Sequence, residues 1–195
     1  MKKTLSFVAL ALVAALTVAG CGNSDSSSSA SSSASASSAS SASSANFNNA
    51  DVTFAQSMIP HHEQAVEMAK MAKMHASTTE VKQLADKIEG AQGPEISTMT
   101  GWLQDWGKDV PSGSMNGMAM TGMMSDAEMK KLDGASGPAF DQMFLTMMVS
   151  HHTGAIEMAK TEQKDGKNGD AVALAKKIEA DQTAQIAVMK KLLKS

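Results

Sequence analysis

Apolar residues recur at helical spacing in four long stretches of this chain. Phe54, Met58, Ala65, Met68, Ala69 and Ala72 share one stripe and predict a helix from about 50 to 76, with Asp51 as its N-cap. Val81, Leu84, Ala85, Ile88, Ile96, Met99 and Leu103 predict a second, capped by Thr78 or Thr79 and ending near Trp106. Gly93-Pro94 falls inside it and is expected to kink one continuous element. A third helix is expected from Ser136-Gly137-Pro138 to about Lys164, and a fourth from about Asp170 to Leu193. Residues 107–125 turn rich in Gly, Ser and Met and read as a loop. Ser125-Asp126-Ala127-Glu128 looks like a capping box that opens a short helix.

The pattern is written twice. Phe54, Met58, His61, His62, Ala65, Glu67, Met68, Ala69 and Lys70 return ninety residues later as Phe144, Met148, His151, His152, Ala155, Glu157, Met158, Ala159 and Lys160. The register holds through the second helix of each copy, where Gln92, Ile96, Met99 and Leu103 recur as Gln182, Ile186, Met189 and Leu193. Two repeated amphipathic hairpins predict an all-α fold, an up-down-up-down four-helix bundle spanning residues 47–195.

The N-terminus carries different information. Lys2 and Lys3 precede an apolar run from Leu5 to Leu16, and Val18-Ala19-Gly20-Cys21 closes it. That is the layout of an export signal, with residues 1–21 resembling a bacterial lipoprotein signal whose Cys21 takes the lipid. Residues 22–46 are nearly all Ser and Ala and cannot bury enough surface to order themselves, so they are expected to tether the domain to a membrane. Cys21 is the one cysteine, which leaves no thiol for a disulfide, a metal or a nucleophile. The formal net charge is −3 and Arg is absent, so nucleic-acid binding is not expected.

Candidate chemistry sits in the repeat. Four of the five histidines form the two His-His pairs, and 17 methionines are present. At 100° per residue, His61 and His62 flank the centre of the buried stripe, as do His151 and His152, whereas Glu67 and Glu157 point away. Imidazoles buried without partners are costly, and a metal ion taking their lone pairs removes the cost. Structural hydrogen-bonded histidines are the plainer alternative, and catalysis a third. The thioethers of Met58, Met68, Met148 and Met158 favour copper, with zinc and silver as alternatives; methionine at helical spacing is also common core filler. Asp51 and Asp141, two turns below Met58 and Met148, are weaker candidate ligands. Met115, Met118, Met120, Met123 and Met124 offer a secondary soft-metal site in the loop, unless they fold down to plug the end of the bundle. A ferritin-type di-iron site is disfavoured, because no Glu precedes a His by three residues.

Gly122-Met123-Met124-Ser125, Phe140-Asp141-x-x-Phe144-x-x-x-Met148-Val149-x-His151-His152-x-Gly154-Ala155-Ile156-x-Met158-Ala159 and the matching first copy resemble the secreted bacterial family called domain of unknown function 305. Gln92-x-x-Glu95-Ile96-x-x-Met99-x-x-Trp102-Leu103 carries the same resemblance. It implies a ferritin-like four-helix bundle, exported or membrane-anchored, with some members linked to copper binding. The family's metal-associated positions fall on His61, His62, His151, His152, Met58, Met148, Met68 and Met158. The expectation is a non-enzymatic, extracytoplasmic, lipid-anchored copper-binding protein. It would sequester, buffer or hand on Cu(I)/Cu(II), with a copper chaperone or efflux protein as partner. A metal-dependent oxidase and a Met-rich protein-interaction module are the competing readings.

Overall fold

The computed structural model describes residues 46–111 and 120–195. The export signal, Cys21, the Ser/Ala tether, Met115 and Met118 lie outside them. Five helices and no strand occur among the described residues: α1 (Asn49–His75), α2 (Thr79–Asp105), α3 (Asp126–Asp133), α4 (Gly137–Asp165) and α5 (Gly169–Leu192). No helix among them is long and apolar enough to cross a membrane.

Local sequence explains where each helix starts. Asn48, not Asp51, caps α1: its Oδ1 accepts from Ala50 N at 2.8 Å and Asp51 N at 3.1 Å, and Asp51 closes the box onto Asn48 N. Asparagine one residue outside the helix reaches these amides, whereas Asp51 already lies three residues inside. Thr78 caps α2, the Ser125–Glu128 box opens α3, and Asn168 caps α5. Two prolines are carried inside helices, Pro60 in α1 and Pro94 in α2. Each deletes one intrahelical hydrogen bond, a loss that the packing of these helices absorbs.

Two aspartates ninety residues apart set the register between the hairpins. Asp51 Oδ1 accepts from the amides of Lys167 (3.0 Å) and Asn168 (2.8 Å) in the α4–α5 turn. Asp141 answers from α4: its carboxylate accepts from Ser77 N at 2.9 Å, Ser77 Oγ at 2.7 Å, Thr78 N at 3.1 Å and Thr78 Oγ1 at 3.0 Å. Each long helix thus begins by latching the turn of the opposite hairpin, so α1 and α4 run antiparallel. Charge-assisted bonds to backbone amides are about twice as strong as neutral ones. α1 packs on α2, α4 on α5 and α1 on α4, while α2 and α5 barely touch.

Two apolar clusters result. One gathers Met68, Ala72, Leu84, Ile88, Phe140, Phe144 and Met148; the other gathers Phe54, Met58, Ile59, Met99, Leu103, Ala155 and Ile178. Each fully buried side chain of this size contributes about 1.5–3 kcal/mol. On the facing helices α1 and α4, Ala65 and Ala69 of the first cluster and Ala155 and Ala159 of the second are fully buried. Small side chains let the two backbones approach where the histidines sit.

Candidate metal centre

His61 and His62 on α1 and His151 and His152 on α4 are all fully buried. The rings of His61 and His151 meet across the helix pair, centroids 3.7 Å apart and planes inclined by 39°. His151 and His152 centroids are 6.3 Å apart. The outer rings are held from the second helix of their own hairpin. His62 Nε2 lies 2.9 Å from Glu95 Oε2 on α2, and His152 Nε2 lies 2.6 Å from Gln185 Oε1 on α5. Both bonds span 33 residues. Since a carboxylate and an amide oxygen only accept, each Nε2 donates to its partner, and in His152, held neutral by burial, Nδ1 keeps its lone pair.

The ring nitrogens turned away from these bonds have no partner. Twelve buried side-chain atoms among the described residues lack a hydrogen-bond partner, and ten belong to His61, His62, Gln92 and their counterparts His151, His152, Gln182. Buried polar groups left this way cost about 1–3 kcal/mol each, so a duplicated cluster of them calls for a ligand. Burial, reinforced by the neighbouring His62, lowers the His61 imidazole to about 3, against a small opposing effect of the Thr121 backbone. Burial and the adjacent imidazoles hold His151 well below the ordinary range, and burial takes His152 to about 4. These three rings are neutral at physiological pH, and protons do not compete for their nitrogens.

The methionines divide by position. Met58 and Met148, one turn before His61 and His151, are fully buried and belong to opposite apolar clusters, so one thioether lies on each side of the histidine layer. Met68 is fully buried among Phe140 and Phe144, where packing alone accounts for it. Met158 is partly exposed and lines a cavity of about 300 Å³ with Phe54, Ser57 and Glu162. Among the described residues no three His, Cys, Asp or Glu side chains gather as for a metal ion. An ion held here therefore draws on two imidazoles in a low-coordinate geometry or adds thioether or amide donors. Soft monovalent ions accept such a set.

Asp51 and Asp141 do not join this layer. They lie ten residues from His61 and His151, about 15 Å along a helix, with their oxygens taken up by the opposite turns. The expectation that they are secondary ligands gives way to their role as latches. Glu67 and Glu157 are exposed, as the periodicity requires, but Lys160 pairs with Glu179 at 3.6 Å and not with Glu157.

The loop residues Met120 to Met124 are seated against the α4 turn that carries His151. Gln64 grips Met124 at both ends, accepting from its N–H at 2.7 Å and donating to its carbonyl at 2.8 Å. Gly122 has φ +84°, and a Cβ on it would lie 2.7 Å from the Ser150 carbonyl oxygen. A Cβ on Gly154 would come within 1.9 Å of the Thr121 oxygen. Gly154→Ala should therefore unseat the loop, costing about 1–3 kcal/mol as an overpacked contact does. Faster proteolysis of the 107–124 segment, with the helical circular dichroism retained, is the expected readout. Met123 lines a groove with Glu63, Glu67 and Asp126, and Met124 packs on the apolar cluster beneath.

Four polar residues were missed as site residues by sequence reasoning: Glu95, Gln185, Gln92 and Gln182. Their signal was a polar residue repeated at a ninety-residue offset on the otherwise apolar face of the second helix of each copy. Glu162 was also missed. It is 1% exposed, no donor reaches its oxygens, and burial followed by the adjoining Asp51 carboxylate pushes it up to about 8. The first copy has Ala72 there, so the repeat does not mark it.

Comparison with known proteins sets this geometry in a family. No curated protein matches the chain. A DUF305 protein from Streptomyces coelicolor, named as secreted, is 36% identical with a TM-score of 0.68, covering 74% of this chain and 90% of that one. A DUF305 fragment from Deinococcus radiodurans is 28% identical with a TM-score of 0.69, covering 75% and 96%. CopM in its Cu(II)-bound form is 33% identical with a TM-score of 0.66, covering 74% and 95%. The profile of the domain of unknown function 305 matches residues 51–193, and the chain belongs to that family.

Proposed function

We propose that this protein binds copper outside the cytoplasm, holding Cu(I), and Cu(II) when oxidised, through pairs of imidazoles drawn from His61, His62, His151 and His152, with Met58 and Met148 above and below. The observation that carries the reading is the duplicated set of buried imidazole nitrogens with no hydrogen-bond partner between α1 and α4. CopM, which shares the fold, has been crystallised with Cu(II), with Cu(I) and with silver. The donor set suits copper and silver better than zinc, which usually adds Cys or carboxylate ligands. Met68 and Met158 belong to the proposal only as ligands recruited by movement. Met120 and Met123 are proposed as donors of a second soft-metal site, which Met115 and Met118 would join.

The finer architecture proposed is a ferritin-like four-helix bundle with α3 as an appended turn, tethered through residues 22–46 to a lipid on Cys21. Binding and not turnover is the proposed activity. An oxidase needs an open coordination position and a proton-transfer group. Tyr is absent, and the carboxylate that touches the buried histidine layer, Glu95, is already tied to His62 and Lys177. Buffering copper, or passing it to a chaperone or efflux protein, is the role such a site serves.

Titration of the purified protein with Ag(I), and with Cu(I) under reductant, tests this. Dissociation constants at or below about a micromolar are expected, roughly −8 kcal/mol. Changing all four histidines to alanine should weaken both by at least about a hundredfold, beyond the 10–100-fold typical of residues that merely support a ligand. Affinity of about a millimolar in the unaltered protein, or an unchanged affinity in the variant, ends the proposal.

A further inference from the structure

We infer that Glu95 and Gln185 make the two histidine pairs electronically unequal, with Glu95 favouring divalent over monovalent copper and Lys177 setting how strongly. The inference rests on the copper reading above and deepens it.

The two outer histidines are held by equivalent bonds of different charge. Glu95 and Gln185 stand ninety residues apart and each binds Nε2 of a histidine 33 residues before it, at 2.9 and 2.6 Å. A carboxylate taking the Nε2 proton gives the ring imidazolate character and makes Nδ1 a stronger donor, which a neutral amide oxygen does far less. The same negative charge, one ring away from a bound ion, attracts a doubly charged cation twice as strongly as a singly charged one. Glu95 is 7% exposed, so water screens little of this.

The charge is also counterweighted. Glu95 Oε2 faces His62, while Oε1 accepts from Lys177 Nζ at 2.9 Å. Lys177 comes from α5, is 55% exposed and also holds Asp181 at 2.8 Å. The chain of contacts from His62 through Glu95 to Lys177 thus runs from the buried layer to solvent, across two helices that otherwise hardly meet. Gln185 makes no hydrogen bond to a cation among the described residues, and its side needs none. One half of a symmetric scaffold is tuned and the other left neutral.

Two substitutions separate tuning from mere support. Glu95→Gln keeps an acceptor for His62 and removes the charge; Lys177→Gln removes the counter-charge and frees the charge of Glu95. Cu(II) in air and Ag(I), a monovalent ion that does not change oxidation state, are titrated into each full-length variant. Glu95→Gln is expected to weaken Cu(II) about tenfold and Ag(I) by less than about threefold, within the range for residues behind a ligand. Carried over from Ag(I) to Cu(I), the resulting fall of about threefold to tenfold in the Cu(II)/monovalent ratio raises the one-electron Cu(II)/Cu(I) potential by about 30–59 mV. Lys177→Gln is expected to move the ratio the opposite way, and the Cu(II) electron paramagnetic resonance spectrum should change in both. Equal weakening of both ions by Glu95→Gln, or an unmoved ratio in Lys177→Gln, overturns the inference while leaving copper binding intact. Failure of the unaltered protein to bind either ion overturns the copper reading itself, and this inference with it.

Discussion

Replacing His61 and His151 together by leucine is expected to stabilise the metal-free protein by about 2–4 kcal/mol while abolishing high-affinity silver and copper uptake. The two ring centroids lie 3.7 Å apart, planes inclined by 39°, with all four nitrogens buried and without a hydrogen-bond partner. Each orphaned polar atom costs about 1–3 kcal/mol, and leucine removes that cost while adding apolar area against Met58, Met148 and the alanines around them. For a domain of this size the gain amounts to a rise in Tm of about 5–15 °C. The trade of stability for binding is the signature of a site kept for its ligand. Were the histidines packing elements, the same change would lower Tm, because their shape and their contacts would be lost with nothing regained. Calorimetry of the metal-free variant decides the matter, and loss of more than about 2 kcal/mol would end the argument.

Acid is expected to unfold the metal-free protein more readily than its carboxylates alone would require. His61 at about 3 and His152 at about 4 lie below the ordinary histidine value of 6.5, and His151 is displaced the same way. Their folded forms resist protons that the unfolded chain accepts, so stability is present above 6.5 and is lost as pH falls toward the folded values. At pH 5 His61 and His152 withdraw about 2 kcal/mol each, and His151 adds in the same direction. Glu162, raised to about 8, acts oppositely: the folded protein keeps its proton where the unfolded chain has lost it, so stability falls as pH rises from 4.5 through 8. The metal-free protein should be most stable near neutrality. Below pH 6.5 three histidines outweigh one glutamate, and above it Glu162 alone sets the slope. Thermal melts from pH 4.5 to 8.5 test this, and the His61→Leu/His151→Leu variant should flatten the acid side. A stability that holds level from pH 7 to 5 in the unaltered protein would contradict it.

The helices and most of their caps were legible because local rules govern them. Thr78 and the Ser125–Glu128 box act where side-chain chemistry places them, and the ninety-residue repeat announced which faces turn inward. Asp51 shows where that reasoning stops. Acidic and near the start of α1, it satisfied the rule for a cap, yet Asn48 takes that role and Asp51 spans to the α4–α5 turn. No local rule could say so, because its partners lie more than a hundred residues away.

The candidate site divides along the same line. That four histidines share a buried stripe follows from 100° per residue and the flanking alanines. That the His61 ring meets the His151 ring, while His62 and His152 are drawn aside to Glu95 and Gln185, depends on how α1 and α4 cross and how far each partner helix stands off. Sequence periodicity determines direction around a helix axis and so determines burial. Distances between side chains on different helices come from packing, which sums contacts scattered along the whole chain. Which residues lie inside could therefore be read from the sequence, and which of them touch was decided by the tertiary structure.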